Sequence, residues 1–177
     1  MKSLALIPPS FLLLVSTSLA DWPFWRGDLA GSGVTTETKL PTEWDKEKNV
    51  KWRVALSEAG NSSPVISGDR IFLTQPNTEK KLRGLLCLDR KSGKTLWEKS
   101  VEYDAKERTH RTNHFCSSSP ATDGERVIVA YGSAGIFCYT HDGRELWQQD
   151  LGTIDHVWGY GSSPLIYENL CIHYHGP

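Results

Sequence analysis

Apolar residues along this chain fall in short runs separated by polar turns, and the runs recur in a fixed order. Arg70-Ile71-Phe72-Leu73 and Arg126-Val127-Ile128-Val129 each follow a Ser-Ser-Pro triplet, Ser62-Ser63-Pro64 and Ser118-Ser119-Pro120, at the same offset. A third triplet, Ser162-Ser163-Pro164, leads at that offset to Leu170-Cys171-Ile172-His173. Further on, Gly93-Lys94-Thr95-Leu96-Trp97 matches Gly143-Arg144-Glu145-Leu146-Trp147. The runs are nearly continuous rather than alternating, the mark of strands covered on both faces, and Gly and Asp punctuate them where tight turns need their backbone freedom.

The pattern predicts four strands in the first repeat, at 62–66, 70–74, 84–88 and 95–101, with a polar loop from Pro76 to Lys81. The second repeat copies them at 118–122, 126–131, 135–139 and 145–151. Residues 49–56, with Trp52 at the repeat tryptophan position, read as an isolated fourth strand. A period of roughly 40–55 residues with four short antiparallel strands per unit points to β-propeller blades. The predicted class is all-β. Trp52, Trp97 and Trp147 then become structural anchors between blades, because a large ring repeated once per unit fills the same gap each time. The predicted strands fall well short of the ~16 that the smallest closed ring of such blades needs. The expectation is an incomplete ring, the N-terminal portion of a longer protein, divided into 1–20, an irregular segment 21–48, and propeller repeats 49–177.

Charge changes the picture little. With 20 Lys+Arg against 21 Asp+Glu, no field draws the chain to nucleic acid, and Lys80, Lys81 and Arg83 read as a solvated basic loop. The first twenty residues do matter: Lys2, the apolar stretch from Leu4 to Val15 and Ser18-Leu19-Ala20 have the layout of an export signal too short to span a membrane. No transmembrane segment follows, so the expected location is the periplasm or cell envelope. Cys87 and Cys138 occupy equivalent places in successive repeats, too far apart to bridge, and read as small buried hydrophobes. Cys116 and Cys171 are left free or paired.

The run from Asp89 to Trp97, its cousin ending at Trp147 and the Ser-Ser-Pro openings resemble the pyrroloquinoline-quinone (PQQ)-type propeller repeat of quinoprotein alcohol dehydrogenases and of the outer-membrane β-barrel assembly lipoprotein. Trp22-Pro23-Phe24-Trp25-Arg26-Gly27, Leu40-Pro41-Thr42-Glu43-Trp44 and Trp158-Gly159-Tyr160-Gly161-Ser162-Ser163-Pro164 are similar to exported PQQ-like propeller proteins of planctomycete-type bacteria. The resemblance implies a binding or scaffold module acting on a protein partner or small ligand. Its enzymatic alternative is a PQQ-dependent oxidoreductase of alcohols or sugars. Such dehydrogenases hold PQQ with a calcium or lanthanide ion, use an aspartate base and often carry a disulfide between adjacent cysteines. No two cysteines are adjacent here, and no matching acidic set can be placed.

Connectors between an outer strand and the next inner strand share one face of a propeller, and function gathers on such loops. Here they are 57–61, 102–117 and 152–161. They carry Asn61, His110, Asn113, His114, Asp155, His156 and Trp158, the candidates for ligand contact, with Asn61, His114 and Trp158 expected together near the axis. Against a metal, His110 and His114 have helical ligand spacing but no helical context, and no third ligand is evident. His173 and His175 read as a polar strand edge. Ser62, Ser118 and Ser162 recur in every unit, which argues for hydroxyls bonding nearby backbone rather than nucleophiles, and the nucleophile-elbow pattern is missing. No catalytic residue is assigned.

Overall fold

The computed structural model describes residues 21–176; the export-signal reading of residues 1–20 lies outside them. The first blade is an antiparallel sheet of β1 (Val65–Ser67), β2 (Arg70–Asn77), β3 (Leu82–Asp89) and β4 (Thr95–Glu102), in that spatial order. The second repeats it with β5 (Ala121–Thr122), β6 (Arg126–Ala130), β7 (Ile136–Thr140) and β8 (Glu145–Gln149). A hairpin of β9 (Leu165–Tyr167) and β10 (Leu170–Ile172) begins a third unit. The only helical element among the described residues is a 3-10 turn at Gly132–Ala134. The repeats are superposable in register: Cys87 pairs with Trp97 and Cys138 with Trp147, and each ladder shifts at the next residue.

Continuous apolar runs serve two cores at once because side chains alternate across a strand. Phe72, Leu85 and Cys87 of the first blade meet Val127, Val129, Phe137 and Tyr139 of the second in one core. The intervening residues Ile71, Leu73, Leu86 and Leu88 face the other way, onto Trp52 and Val54. Ile128, Ala130, Ile136 and Cys138 likewise leave the first core and pack on Ile166 of the third unit. The outer strands are different: β4 and β8 are largely exposed, so continuous burial holds for the inner strands only.

Three local expectations are corrected. Residues 49–56 form no ladder; they run extended with Val50, Trp52 and Val54 half-buried and the residues between exposed. Their packing is that of an outer strand, but no described strand lies beside them to bond. Pro76 and Asn77 belong to β2, opposite Arg83 and Leu82, so the loop shrinks to a turn at 78–81. Arg83 is 3% exposed within β3, so only the two lysines are solvated. All four cysteines are free thiols; Cys116 is buried between the first two blades and Cys171 packs at the second core.

Two devices join successive units. Near the inner edge, Ser63 N–H donates to Ser119 Oγ at 2.8 Å, and Ser119 N–H donates to Ser163 Oγ at 3.0 Å. The repeated serines thus knit the inner strands together. At the outer side, Trp52 and Trp97 each sit on a turn of the following blade. Trp52 Nε1 donates to Arg90 O at 3.0 Å, and Trp97 Nε1 donates to His141 O at 2.8 Å. Both turns need glycine: φ is +73° at Gly93 and +82° at Gly143, and a Cβ would stand 2.6 Å from the Trp52 ring and 2.9 Å from the Trp97 ring. Trp147 occupies the matching register with 38% exposure, and no described turn lies on it. The segment after Asp21 closes the inner edges from the far side, where Trp22 and Ile66 exchange backbone hydrogen bonds and Thr122 N–H donates to Pro23 O at 3.0 Å.

Candidate functional site

The connectors 57–61, 102–117 and 152–161 meet on one face and are bonded to one another. Asn61 Nδ2 donates to Thr112 O at 3.0 Å, and Asn113 Nδ2 donates to Trp158 O at 2.6 Å and to Tyr160 O at 3.4 Å. Thr109 Oγ1 donates to Asn113 O, which tightens the turn carrying the asparagine. Arg108 Nε bonds Asp155 Oδ1 at 2.5 Å, and that hydrogen bond holds the Asp155 carboxyl below its ordinary pKa. From below, Ser133 links both long loops: its N–H donates to Glu107 at 3.0 Å, and its Oγ accepts from Ile154 N–H at 2.8 Å.

On this base Trp158 stands 58% exposed, with its ring centroid 4.7 Å from that of His110. His110 Nδ1 accepts the Thr112 N–H at 3.3 Å and lies 2.8 Å from the Thr112 hydroxyl, which leaves one ring edge for Trp158. His156 is half-buried beside Trp158, in a groove that continues past Tyr160 to Tyr174. Asn61, His110, Asn113, His156 and Trp158 therefore share one surface. His114 is on the same loop; its carbonyl accepts from Ser117 Oγ at 2.6 Å, and it rims a small cavity under the loop.

That cavity is lined by residues the sequence reading missed. Arg83 and Glu107 form an ion pair at 3.7 Å with side chains 4% and 6% exposed, and the guanidinium lies 3.6 Å from the Phe115 ring centroid. Tyr131 and Tyr160 complete the wall, and burial raises the pKa of both phenols. The available signal was Arg83 standing beside an apolar run with an acidic residue in the long loop. Its buried partner is visible only once the loop folds back.

Two histidines make the fold sensitive to acid. His141 Nε2–H donates to Thr122 Oγ1 at 2.7 Å, since that hydroxyl already donates to Arg126 O at 2.8 Å; burial, then Arg70, lowers the His141 pKa. Burial also lowers His173, to about 4. Both must stay neutral in the folded chain, whereas in the unfolded chain they take up protons near pH ~6.5. Stability should therefore be fully present above pH ~6.5 and fall as pH drops from there toward 4, before the carboxylates titrate. Melting temperature against pH checks this, and His141→Gln should flatten part of the slope; a flat profile between pH ~7 and ~4.5 would contradict it.

Among the described residues, no three His, Cys, Asp or Glu side chains form a metal-binding group, and no helix is long and apolar enough to cross a membrane. A family model described as outer membrane protein assembly factor BamB matches residues 31–155. No curated protein matches the chain in sequence. Among solved structures, a europium-containing methanol dehydrogenase is similar with a TM-score of 0.60 at 13% identity, over 86% of this chain and 27% of the other. BamB from Moraxella catarrhalis gives 0.52 at 17% identity, over 71% and 37%. A quinohemoprotein alcohol dehydrogenase from Comamonas testosteroni gives 0.52 at 15% identity, over 84% and 22%. The chain thus spans well under half of each of these proteins, and at such identities the likeness shows the fold alone. With the matched repeats, the shared register and a family match over most of its length, the chain belongs to the PQQ-like β-propeller family described as outer membrane protein assembly factor BamB.

Proposed function

We propose that this chain is part of an exported propeller that works as a binding or scaffold module in the periplasm or cell envelope, engaging a protein partner or small ligand through the connector face. The observation that carries this reading is a rigid base under an exposed aromatic. Asn61, Asn113 and Arg108 tie three connectors together, and Trp158 rests on them with His110 at its edge. Preorganised loops lose little entropy on binding, and an exposed tryptophan offers large contact area for few rotatable bonds. The family description, an outer membrane protein assembly factor, supports the same reading.

Trp158→Ala should weaken binding of a partner to the full-length protein by about 30-fold or more, the range of an interfacial tryptophan, while shifting the melting temperature little. His110→Ala should weaken it less. Loss of folding in Trp158→Ala would show that the indole is a packing residue instead.

The quinoprotein alternative can be weighed on the donors present. A quinone site with a hard cation needs oxygen ligands free to coordinate. Of the connector carboxylates, Glu58, Asp104, Glu107 and Asp155 are engaged by Thr78, by Lys81, by Ser133 with Arg83, and by Arg108. These engagements favour the binding-module reading over the quinoprotein one. Dye-linked oxidation of alcohols or sugars by the full-length protein supplied with PQQ and calcium would overturn the binding-module reading; no turnover is expected.

A further inference from the structure

The connector face carries its charge unevenly. Where the loops 102–117 and 152–161 meet, Lys106, Arg108 and Arg111 stand exposed beside one exposed carboxylate, Asp155. The Arg108 hydrogen bond holds the Asp155 carboxyl below its ordinary range, and the charges of Arg108, Lys106 and His156 add to that, so Lys106 and His156 lie within electrostatic reach of it. Asp155 is matched by Arg108, Asp104 by Lys81, and Glu107 is buried against Arg83. The remaining connector acids lie elsewhere: Glu58 accepts from Thr78, and Glu102 ends β4 opposite Leu82. Lys106 and Arg111 make no ion pair among the described residues. Two uncompensated cations are thus left in one corner of a chain whose formal net charge is -1.

The same corner exposes apolar surface. Val157 is 53% and Trp158 58% exposed, and a groove runs from Trp158 past Tyr160 to Tyr174. Arg111 follows His110, the residue whose ring lies against Trp158. We propose that the partner at this face is an acidic, extended segment of another protein, with an apolar or aromatic side chain seated on Trp158 and carboxylates on Lys106 and Arg111. This rests on the connector-face reading and adds the chemistry of the partner. A linear groove suits an extended chain, and a guanidinium fork suits a carboxylate. Anionic lipid surfaces are recognised by clusters of about four to eight Lys or Arg, more than this corner offers. Nucleic acid needs a basic stripe, which a chain of this net charge lacks.

The test is selection of displayed random peptides on the full-length protein, followed by titration of the enriched peptides at rising salt. Enriched sequences should combine Asp or Glu with one Trp, Tyr, Phe or Leu, and their affinity should fall about tenfold or more between about 50 and 500 mM salt. Lys106→Glu combined with Arg111→Glu should weaken binding by about tenfold or more, chiefly through the association rate. Arg111→Gln alone should cost less, and Trp158→Ala should act on the dissociation rate. Enrichment of neutral or basic peptides, or of acidic ones indifferent to salt and to the double reversal, overturns the proposal; if those peptides still need Trp158, the connector-face reading stands. Peptides indifferent to Trp158→Ala overturn both. No enrichment overturns the proposal too, and binding to phosphatidylcholine vesicles containing phosphatidylglycerol would then assign the cations to a lipid surface. If the double variant fails to fold, the salt dependence of the wild type decides.

Discussion

Replacing Glu107 by alanine is expected to destabilise the protein by about 3–5 kcal/mol, more than any single change on the loop surface. The reason is what the substitution leaves behind. Arg83 is 3% exposed, lies against Phe115, and among the described residues has no carboxylate but Glu107 as an ion-pair partner, so the variant strands a buried positive charge. It also frees the Ser133 N–H that Glu107 accepts at 3.0 Å, loosening the link to Ile154. The exposed pair Arg108–Asp155 is closer, at 2.5 Å, yet solvent screens it, so Asp155→Ala should barely register. Burial decides, not distance. Arg83→Met combined with Glu107→Gln should recover most of the loss, because it removes both charges together. Denaturant unfolding of the three variants measures this, and a Glu107→Ala loss below about 1 kcal/mol would show that the pair is not desolvated.

Trp97→Ala should cost about 3–5 kcal/mol. Its indole packs into the core between the first two blades, lies 5.9 Å from the Phe72 ring and donates to His141 O at 2.8 Å. Removing it opens a cavity and leaves the Gly143 turn without its cover. Trp158→Ala removes the same side chain from a site 58% exposed, and there the expected loss is within about 1 kcal/mol. Equal losses at the two positions would contradict the assignment of one tryptophan to a joint and the other to a surface.

The fold was legible because each repeat carries its own punctuation. Ser-Ser-Pro opens the inner strand, Gly-Asp turns it, and the tryptophan marks the outer strand, so register follows from local chemistry. Residues 49–56 were misread as a strand for the same reason: Trp52 carries the packing signature, but a ladder needs a neighbour that sequence does not name. Pro76 opens a stretch that reads as polar loop, although β2 continues through it to Asn77. The surface group was only partly legible. Loop position placed Asn61, Asn113 and Trp158 on one face, but the choice of His110 rather than His114 as the ring against Trp158 depends on how the loop turns between them. Arg83 was hidden because a charge beside two lysines looks solvated until a distant glutamate reaches it.

On this reading the connector face, rather than the turn face, meets the partner. Site-specific photo-crosslinking in the cell envelope tests it most directly, with the probe at exposed Arg111 on the connector face or at exposed Lys91 on the turn face of the full-length protein. A discrete adduct from position 111, abolished by Trp158→Ala and missing from position 91, is the predicted result. Adducts from position 91 alone, or adducts from position 111 that Trp158→Ala leaves unchanged, would contradict it.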